Sequence, residues 1–279
     1  MYSAEISRKN PGCFIFLLDQ SASMEDPFGG SSDRRKADEL TTIINKLIHN
    51  LSIRCAKGDN IYDYFHVAVI GYGQDTVVKS AFDGPLTGKD LVPISELANN
   101  PLRIEDRVKK QDDGAGGLVE QTVKFPLWFE AKHVGGTPMS GAFKMAADIV
   151  QRWVAEHPKG FAPIVINITD GESTDGDPMQ DAKALSSMGT DDGASLLFNI
   201  HLSSAAGNPI ELPASDEGLP DKFSKQLFEM SSNLTPFMIA RAKELGMTAG
   251  DGARGFVFNA QPTQVIQFLD IGTRPANLR

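Results

Sequence analysis

The sequence predicts an α/β protein built on a doubly wound, mostly parallel sheet with helices on both faces. Three observations lead there. Five short apolar runs alternate along the 279 residues with stretches whose apolar positions recur every three or four residues. The first and third runs are nearly continuous in apolar residues, as strands covered on both faces are. Strands that alternate with helices join through right-handed crossovers into one parallel sheet.

Taken in order, the first strand is Phe14–Leu18, followed by a helix whose buried face is Ala37, Leu40, Ile43, Ile44, Leu47, Ile48 and Leu51. The second strand is Phe65–Gly71. Residues 74–134 break the rhythm with prolines, a Gly-rich turn (Asp113-Gly114-Ala115-Gly116-Gly117) and β-like runs at Thr76–Val78 and Val119–Phe125. They read as one antiparallel edge strand or hairpin inserted into a single domain spanning 1–279, because they carry too few apolar residues for a core of their own. Thr137-Pro138 then opens a helix through Phe143, Ala146, Ala147, Ile149, Val150, Trp153 and Val154, with Thr137 as cap and proline at the first helical position. Strand Pro163–Thr169 follows. Asp177-Pro178 opens the next helix in the same way and Gly189 closes it. Strand Ser195–Leu202, a loop over Glu211–Asp221, strand Gly255–Asn259 and a helix over Thr263–Leu269 complete the chain.

Composition narrows the function classes. With 36 acidic against 27 basic residues the net charge is −9, and no cluster of Lys and Arg interleaves with aromatics, so nucleic acid is not an expected partner. The N-terminal MYSAEISRKNPG lacks the apolar core of a signal peptide. No apolar run approaches the roughly 20 residues of a membrane span. The expectation is a cytoplasmic protein without a membrane partner. Cys13 and Cys55 form no C-x-x-C pattern and read as buried free thiols of a reducing compartment. Oligomeric state is not legible.

In such a sheet, ligands bind outside the carboxyl ends of the strands. Three segments fall there: Asp19-Gln20-Ser21-Ala22-Ser23, Gly135-Gly136-Thr137-Pro138 and Thr169-Asp170-Gly171-Glu172. Their useful atoms are all carboxylate or hydroxyl oxygens, which select hard cations over zinc or copper. Asp19, Ser21, Ser23, Thr137 and Asp170 are therefore candidate ligands of one divalent ion. With so few anionic groups the ion keeps unsatisfied positive charge, and an open coordination position would favour an incoming carboxylate. Each piece has a simpler reading. Asp-x-Ser-x-Ser arises by chance in roughly one chain in ten of this length, Thr137 serves as a helix cap, and Asp-Gly is a common strand-exit turn. In order, and each at a strand end, they favour the metal site.

These segments resemble the von Willebrand factor A (VWA) domains: FIFLLDQSAS, then GGTPMSGAF, then IVINITDGE. The resemblance covers essentially the whole chain. It implies a Rossmann-like sheet and a metal-ion-dependent adhesion site in which Asp19, Ser21, Ser23, Thr137 and Asp170 hold Mg²⁺ or Mn²⁺, ahead of Ca²⁺. It also implies a protein partner that presents an Asp or Glu to the metal. Within the family the chain looks most like bacterial stand-alone VWA proteins, including those associated with tellurite-resistance clusters, which suggests a scaffold in a signalling or stress-response assembly. The 74–134 region is longer than the connection in integrin inserted domains.

An enzymatic alternative is a metal-dependent phosphatase or phosphoryl-transfer enzyme with Asp19 as nucleophile. Such enzymes place a second aspartate two residues on as acid and base. Ser21 stands there and cannot transfer that proton near neutral pH. No G-x-S-x-G elbow or G-x-x-x-x-G-K-[ST] loop occurs. Of the remaining polar residues, Glu172 reads equally as tuning the metal shell or as a solvent-facing loop acid, and His133 as a loop histidine. His66 reads as a core or edge residue, Asp175 and Asp177 as added negative charge, and Arg254 as shaping the turn into the last strand.

Overall fold

The computed structural model describes residues 2–29, 33–73, 77–112, 118–202 and 207–273. The chain opens with β1 (Gly12–Asp19) and α1 (Lys36–Cys55), followed by a small ribbon of β2 (Ala56–Lys57) and β3 (Asn60–Ile61). Next come β4 (Phe65–Tyr72), β5 (Val78–Ser80), β6 (Val92–Pro93) and α2 (Ile94–Asn99). A long hairpin of β7 (Arg103–Asp112) and β8 (Leu118–Leu127) leads to α3 (Met139–Glu156) and β9 (Ile164–Thr169). Then follow α4 (Met179–Ser187), a second ribbon of β10 (Gly189–Thr190) and β11 (Gly193–Ala194), and β12 (Leu196–Leu202). The last elements are β13 (Ile210–Glu211), α5 (Lys222–Met230), α6 (Pro236–Glu244), β14 (Phe256–Ala260) and α7 (Pro262–Thr273).

Among the described residues, eight strands form the main sheet, in the order β13-β14-β12-β9-β1-β4-β5 with β6 also on β4. The five anticipated strands are its parallel centre: β1 pairs with both β4 and β9, and β12 pairs with both β9 and β14. Every residue of β1 and β9 is buried, as their continuous apolar character requires. Successive residues of β1 serve opposite faces. Phe14, Phe16 and Leu18 join a core that includes Leu40, Ile44 and Ile48 of α1 and Phe268 of α7. Cys13, Ile15 and Leu17 join one that includes Phe143, Ala146 and Trp153 of α3 and Leu227 of α5. Helices therefore cover both sides.

The edges correct one expectation. The sequence suggests one antiparallel edge strand, whereas β5 and β6 both run antiparallel to β4, and β13 runs antiparallel to β14 at the far edge. Strands of two or three residues are too short to display a period of two, which is why they escape a pattern-based reading. Val119–Phe125 lies in β8, paired with β7 in a ribbon of ten register positions outside the main sheet. Thr76 and the Gly-rich turn at 113–117 lie outside the described residues. Helices α5 and α6 were not anticipated. α5 is capped by Asp221, whose carboxylate accepts from the Phe223 and Ser224 amides at 2.9 and 2.8 Å.

Both cysteines are free and buried. Burial raises the Cys13 thiol and pushes Cys55 up to about 12, so both stay protonated. No helix among the described residues is long and apolar enough to cross a membrane.

Candidate metal centre

The order of the parallel strands reverses between β1 and β9. From β1 the chain moves outward to β4 through α1, then returns across to β9 through α3 on the other face, and continues to β12 and β14. A doubly wound sheet leaves a crevice at that switch point, beyond the carboxyl ends of the two strands. Asp19 is the last residue of β1, and Asp170 immediately follows β9.

Three loops meet over the crevice through backbone hydrogen bonds. The loop after β1 is tied to the loop before α3 by Val134 N donating to Gln20 O at 2.8 Å and Ala22 N to Gly135 O at 3.0 Å. The latter loop is tied to the one after β9 by Thr174 N donating to Thr137 O at 2.9 Å and Thr137 N to Thr174 Oγ1 at 2.8 Å. Glycine permits the close approach on the β4 side. Gly73 has φ +153°, and a Cβ there would stand 2.3 Å from the Gln20 carbonyl carbon.

The candidate oxygens form an arc. Ser21 Oγ lies 3.0 Å from Ser23 Oγ, and Ser23 Oγ donates to Asp170 Oδ1 at 2.7 Å. Asp19 stands behind them, 2% exposed; its Oδ1 accepts from Ser21 N at 2.8 Å and its Oδ2 from Thr169 Oγ1 at 2.6 Å. Thr137 is buried, and its Oγ1 lies 4.0 Å from where a Cβ on Gly171 would begin, across the Asp170 loop. Ser21, Ser23 and Asp170 are thus in direct contact, Asp19 is bonded to Ser21 N beside them, and Thr137 lies on the neighbouring loop next to Gly171.

Two carboxylates so close repel. Burial first, and the charge of Asp170 second, push the Asp19 carboxyl up to about 6, against hydrogen bonds from Ser21 and Thr169 that pull it down. Below Asp19, Tyr72 is fully buried. Its phenol is raised well above the ordinary range by burial and then by Asp19, so it stays neutral and donates to Asn167 Oδ1 at 2.6 Å. Asn167 Nδ2 donates in turn to Asn199 Oδ1 at 3.0 Å, and Asn199 Nδ2 to Ser231 Oγ at 3.0 Å. A buried polar chain therefore runs beneath the site, across the sheet, to the end of α5.

The donor set suits a small hard cation. Adjacent oxygens around an octahedral ion at 2.0–2.1 Å are about 2.9 Å apart, the spacing of the hydrogen-bonded oxygens in the arc. A cation there would be held by the lone pairs of these oxygens in place of their mutual hydrogen bonds, the serine hydroxyls staying neutral. No group of three or more His, Cys, Asp or Glu side chains suited to a metal occurs among the described residues. Any metal shell at this crevice would therefore need the hydroxyls as well as the carboxylates.

Four residues beyond the expected five shape the site. Lys36, the first residue of α1, is 2% exposed, and its Nζ donates to Asp170 Oδ2. Thr169 and Thr174 orient Asp19 and the Thr137 loop. Asp175 corrects the capping expectation. α3 starts at Met139, Pro138 has a non-helical ψ of 66°, and no side chain of the cap residue bonds the helix. The Ser140 and Gly141 amides instead donate to Asp175 Oδ1 and Oδ2 at 3.0 and 2.8 Å. A carboxylate at the positive end of the helix outcompetes a neutral hydroxyl, which leaves the Thr137 side chain out of the cap.

The other singled-out residues fall at its margins. Asp177 Oδ1 accepts from Met179 N at 3.0 Å at the start of α4, although the cap position itself is Pro178 and not the expected Asp177. Glu172 is exposed and lines a cleft of about 820 Å³ between the loop after β9 and α5. His133 Nε2 lies 3.2 Å from an Arg35 guanidinium nitrogen. His66 is set edge-on to His157 at 5.6 Å. Arg254 donates to the Phe228, Glu229 and Ser231 carbonyls at the end of α5, and so closes that helix as well as leading into β14.

Neither the family models nor the curated proteins compared with this sequence match it. Among solved structures, a similar one is the manganese-loaded TRAP protein of Plasmodium vivax, with 13% identity and a TM-score of 0.41 over 94% of this chain and 72% of that one. At that distance the chemistry of the site rests on this chain's own residues.

Proposed function

We propose that the chain is a divalent-cation-dependent protein-binding module of the VWA type, in which Asp19, Ser21, Ser23, Thr137 and Asp170 hold Mg²⁺ or Mn²⁺ and a partner protein supplies an Asp or Glu. The observation that carries this reading is the arc of hydroxyl and carboxylate oxygens at the switch point of the sheet. A bound ion would supply a positive centre with coordination capacity left over for a carboxylate. The protein's part is to hold the donors. Ser21 N and Thr169 fix the Asp19 carboxylate from below, and Ser23 faces Asp170 across the crevice. Both Asp19 oxygens are engaged and buried, which favours a ligand-holding role over nucleophilic attack.

This reading extends to one domain over residues 1–279 with 74–134 as an insertion, and to a cytoplasmic signalling or stress-response assembly of the bacterial stand-alone type. The test is calorimetric titration with MnCl₂ and MgCl₂ of the wild-type chain beside Asp19→Ala and Asp170→Ala. Saturable one-site binding that weakens at least about 100-fold in both variants is expected. Equal binding by wild type and Asp19→Ala would overturn the assignment. A partner retained on immobilised protein in Mg²⁺ and released by EDTA would extend it to recognition.

A further inference from the structure

We propose that Lys36 is a built-in rival cation that shares Asp170 with the divalent ion and so holds metal affinity below what the oxygen donors alone would give. This rests on the reading of the crevice as a metal site. Lys36 Nζ donates to Asp170 Oδ2, while Asp170 Oδ1 accepts from Ser23. One oxygen thus belongs to the hydroxyl arc and the other to an ammonium. The two side chains are 2% and 1% exposed, so water does little to screen the pair.

The position is not explained by the helix. Lys36 opens α1, where the macrodipole disfavours a cation. It falls in phase with the apolar stripe of Leu40, Ile44 and Ile48, so its stem is carried inward with the buried face. The segment before it is drawn against the crevice by Lys36 N donating to Asp26 O at 3.0 Å and by the Pro27–Arg35 bridge. A buried lysine at that end of a helix needs a carboxylate partner, and the nearer of its two is Asp170.

A second cation taking Asp170 puts like charge beside the ammonium, in a place where solvent cannot dilute the repulsion. The lysine then gives up part of its interaction with Asp170. It already pairs with a second carboxylate at longer range, Asp26 Oδ2 at 3.7 Å on a side chain that is 56% exposed, and can lean further toward it. The competition concerns charge and not space, so a neutral side chain of similar length relieves it and an arginine does not.

The experiment titrates MnCl₂ into wild type, Lys36→Met, Lys36→Arg and Asp19→Ala, with thermal melts of each in EDTA and in Mn²⁺. Expected are about tenfold or greater tightening in Lys36→Met, little change in Lys36→Arg, and a larger Mn²⁺-induced rise in Tm for Lys36→Met than for wild type. If Lys36→Met melts cooperatively only with Mn²⁺ present, the same conclusion follows; if it fails to fold even then, the inference falls. Lys36→Met binding no tighter than wild type, in a titration that Asp19→Ala abolishes, overturns the inference and leaves the metal site standing. Binding that survives Asp19→Ala places the ion elsewhere and overturns both.

Discussion

Asp19 concentrates the chemistry of the site in one carboxyl. Its value of about 6 lies above the ordinary 3.8, so the folded, metal-free protein binds this proton more tightly than the unfolded chain does. The resulting contribution to stability is complete below pH ~4 and is lost as pH rises through about 6, an effect of order 1–3 kcal/mol. At neutral pH this buried, ionised carboxylate is therefore held at a cost, and under the proposed function only that form would serve a cation. Mn²⁺ affinity should fall by up to about tenfold per unit below pH 6 as the proton competes. In thermal melts, Mn²⁺ should raise Tm strongly at pH 7.5 and weakly at pH 5. Asp19→Asn should lose that response while melting, without metal at pH 7.5, no lower than wild type. A metal-induced shift of equal size at both pH values would contradict this account. The placing of Asp19, Ser21, Ser23 and Asp170 at the crevice was legible because each lies within a few residues of a strand end that the apolar pattern marks. Lys36 was not, although it is in phase with the buried stripe of its helix, because its meaning comes from Asp170, 134 residues away.

At the scale of elements, α3 shows how a helix can be found correctly while the reason for its start is not. The apolar stripe from Phe143 to Trp153 fixes the helix and its buried face. Thr-Pro resembles a cap followed by a first helical residue, yet the amides are taken by Asp175, which a different loop delivers from 35 residues away. Local sequence cannot show a cap that arrives through tertiary structure. Asp175→Ala should therefore cost about 1 kcal/mol, roughly 2–4 °C in Tm for a chain of this size, whereas Thr137→Val should leave the helix intact and weaken Mn²⁺ binding. Melts and Mn²⁺ titrations of the two variants separate the roles. A greater loss of stability from Thr137→Val than from Asp175→Ala would return the cap to the threonine. The same limit explains the sheet edges: β6 and β13 are two residues each, and backbone pairing with β4 and β14 defines them more than any pattern of their own.

For the whole molecule, the question is which parts the crevice needs. The parallel centre β14-β12-β9-β1-β4 positions both aspartates, and its two faces are sealed by separate apolar cores. Among the described residues, the β7–β8 hairpin is tied to the body of the protein at its root. Trp128 N donates to the fully buried Asn45 Oδ1 at 2.8 Å, Trp128 Nε1 donates to Leu97 O at 2.6 Å, and Phe125 and Leu127 are buried. Further out the ribbon exposes Val108 and Val119 at 63% and 55%, and its Asp106–Lys124 pair is open to solvent. An exposed ion pair and solvated cross-strand contacts add little to stability. Replacing residues 108–122 with a short Gly-containing turn between Arg107 and Val123, which are register partners, should therefore keep the root intact. Cooperative unfolding with a Tm within a few degrees of wild type is expected, together with unchanged Mn²⁺ affinity. Loss of cooperativity, or a substantially weaker Mn²⁺ titration, would mean that the ribbon supports the sheet and the crevice, and would end its reading as an insertion.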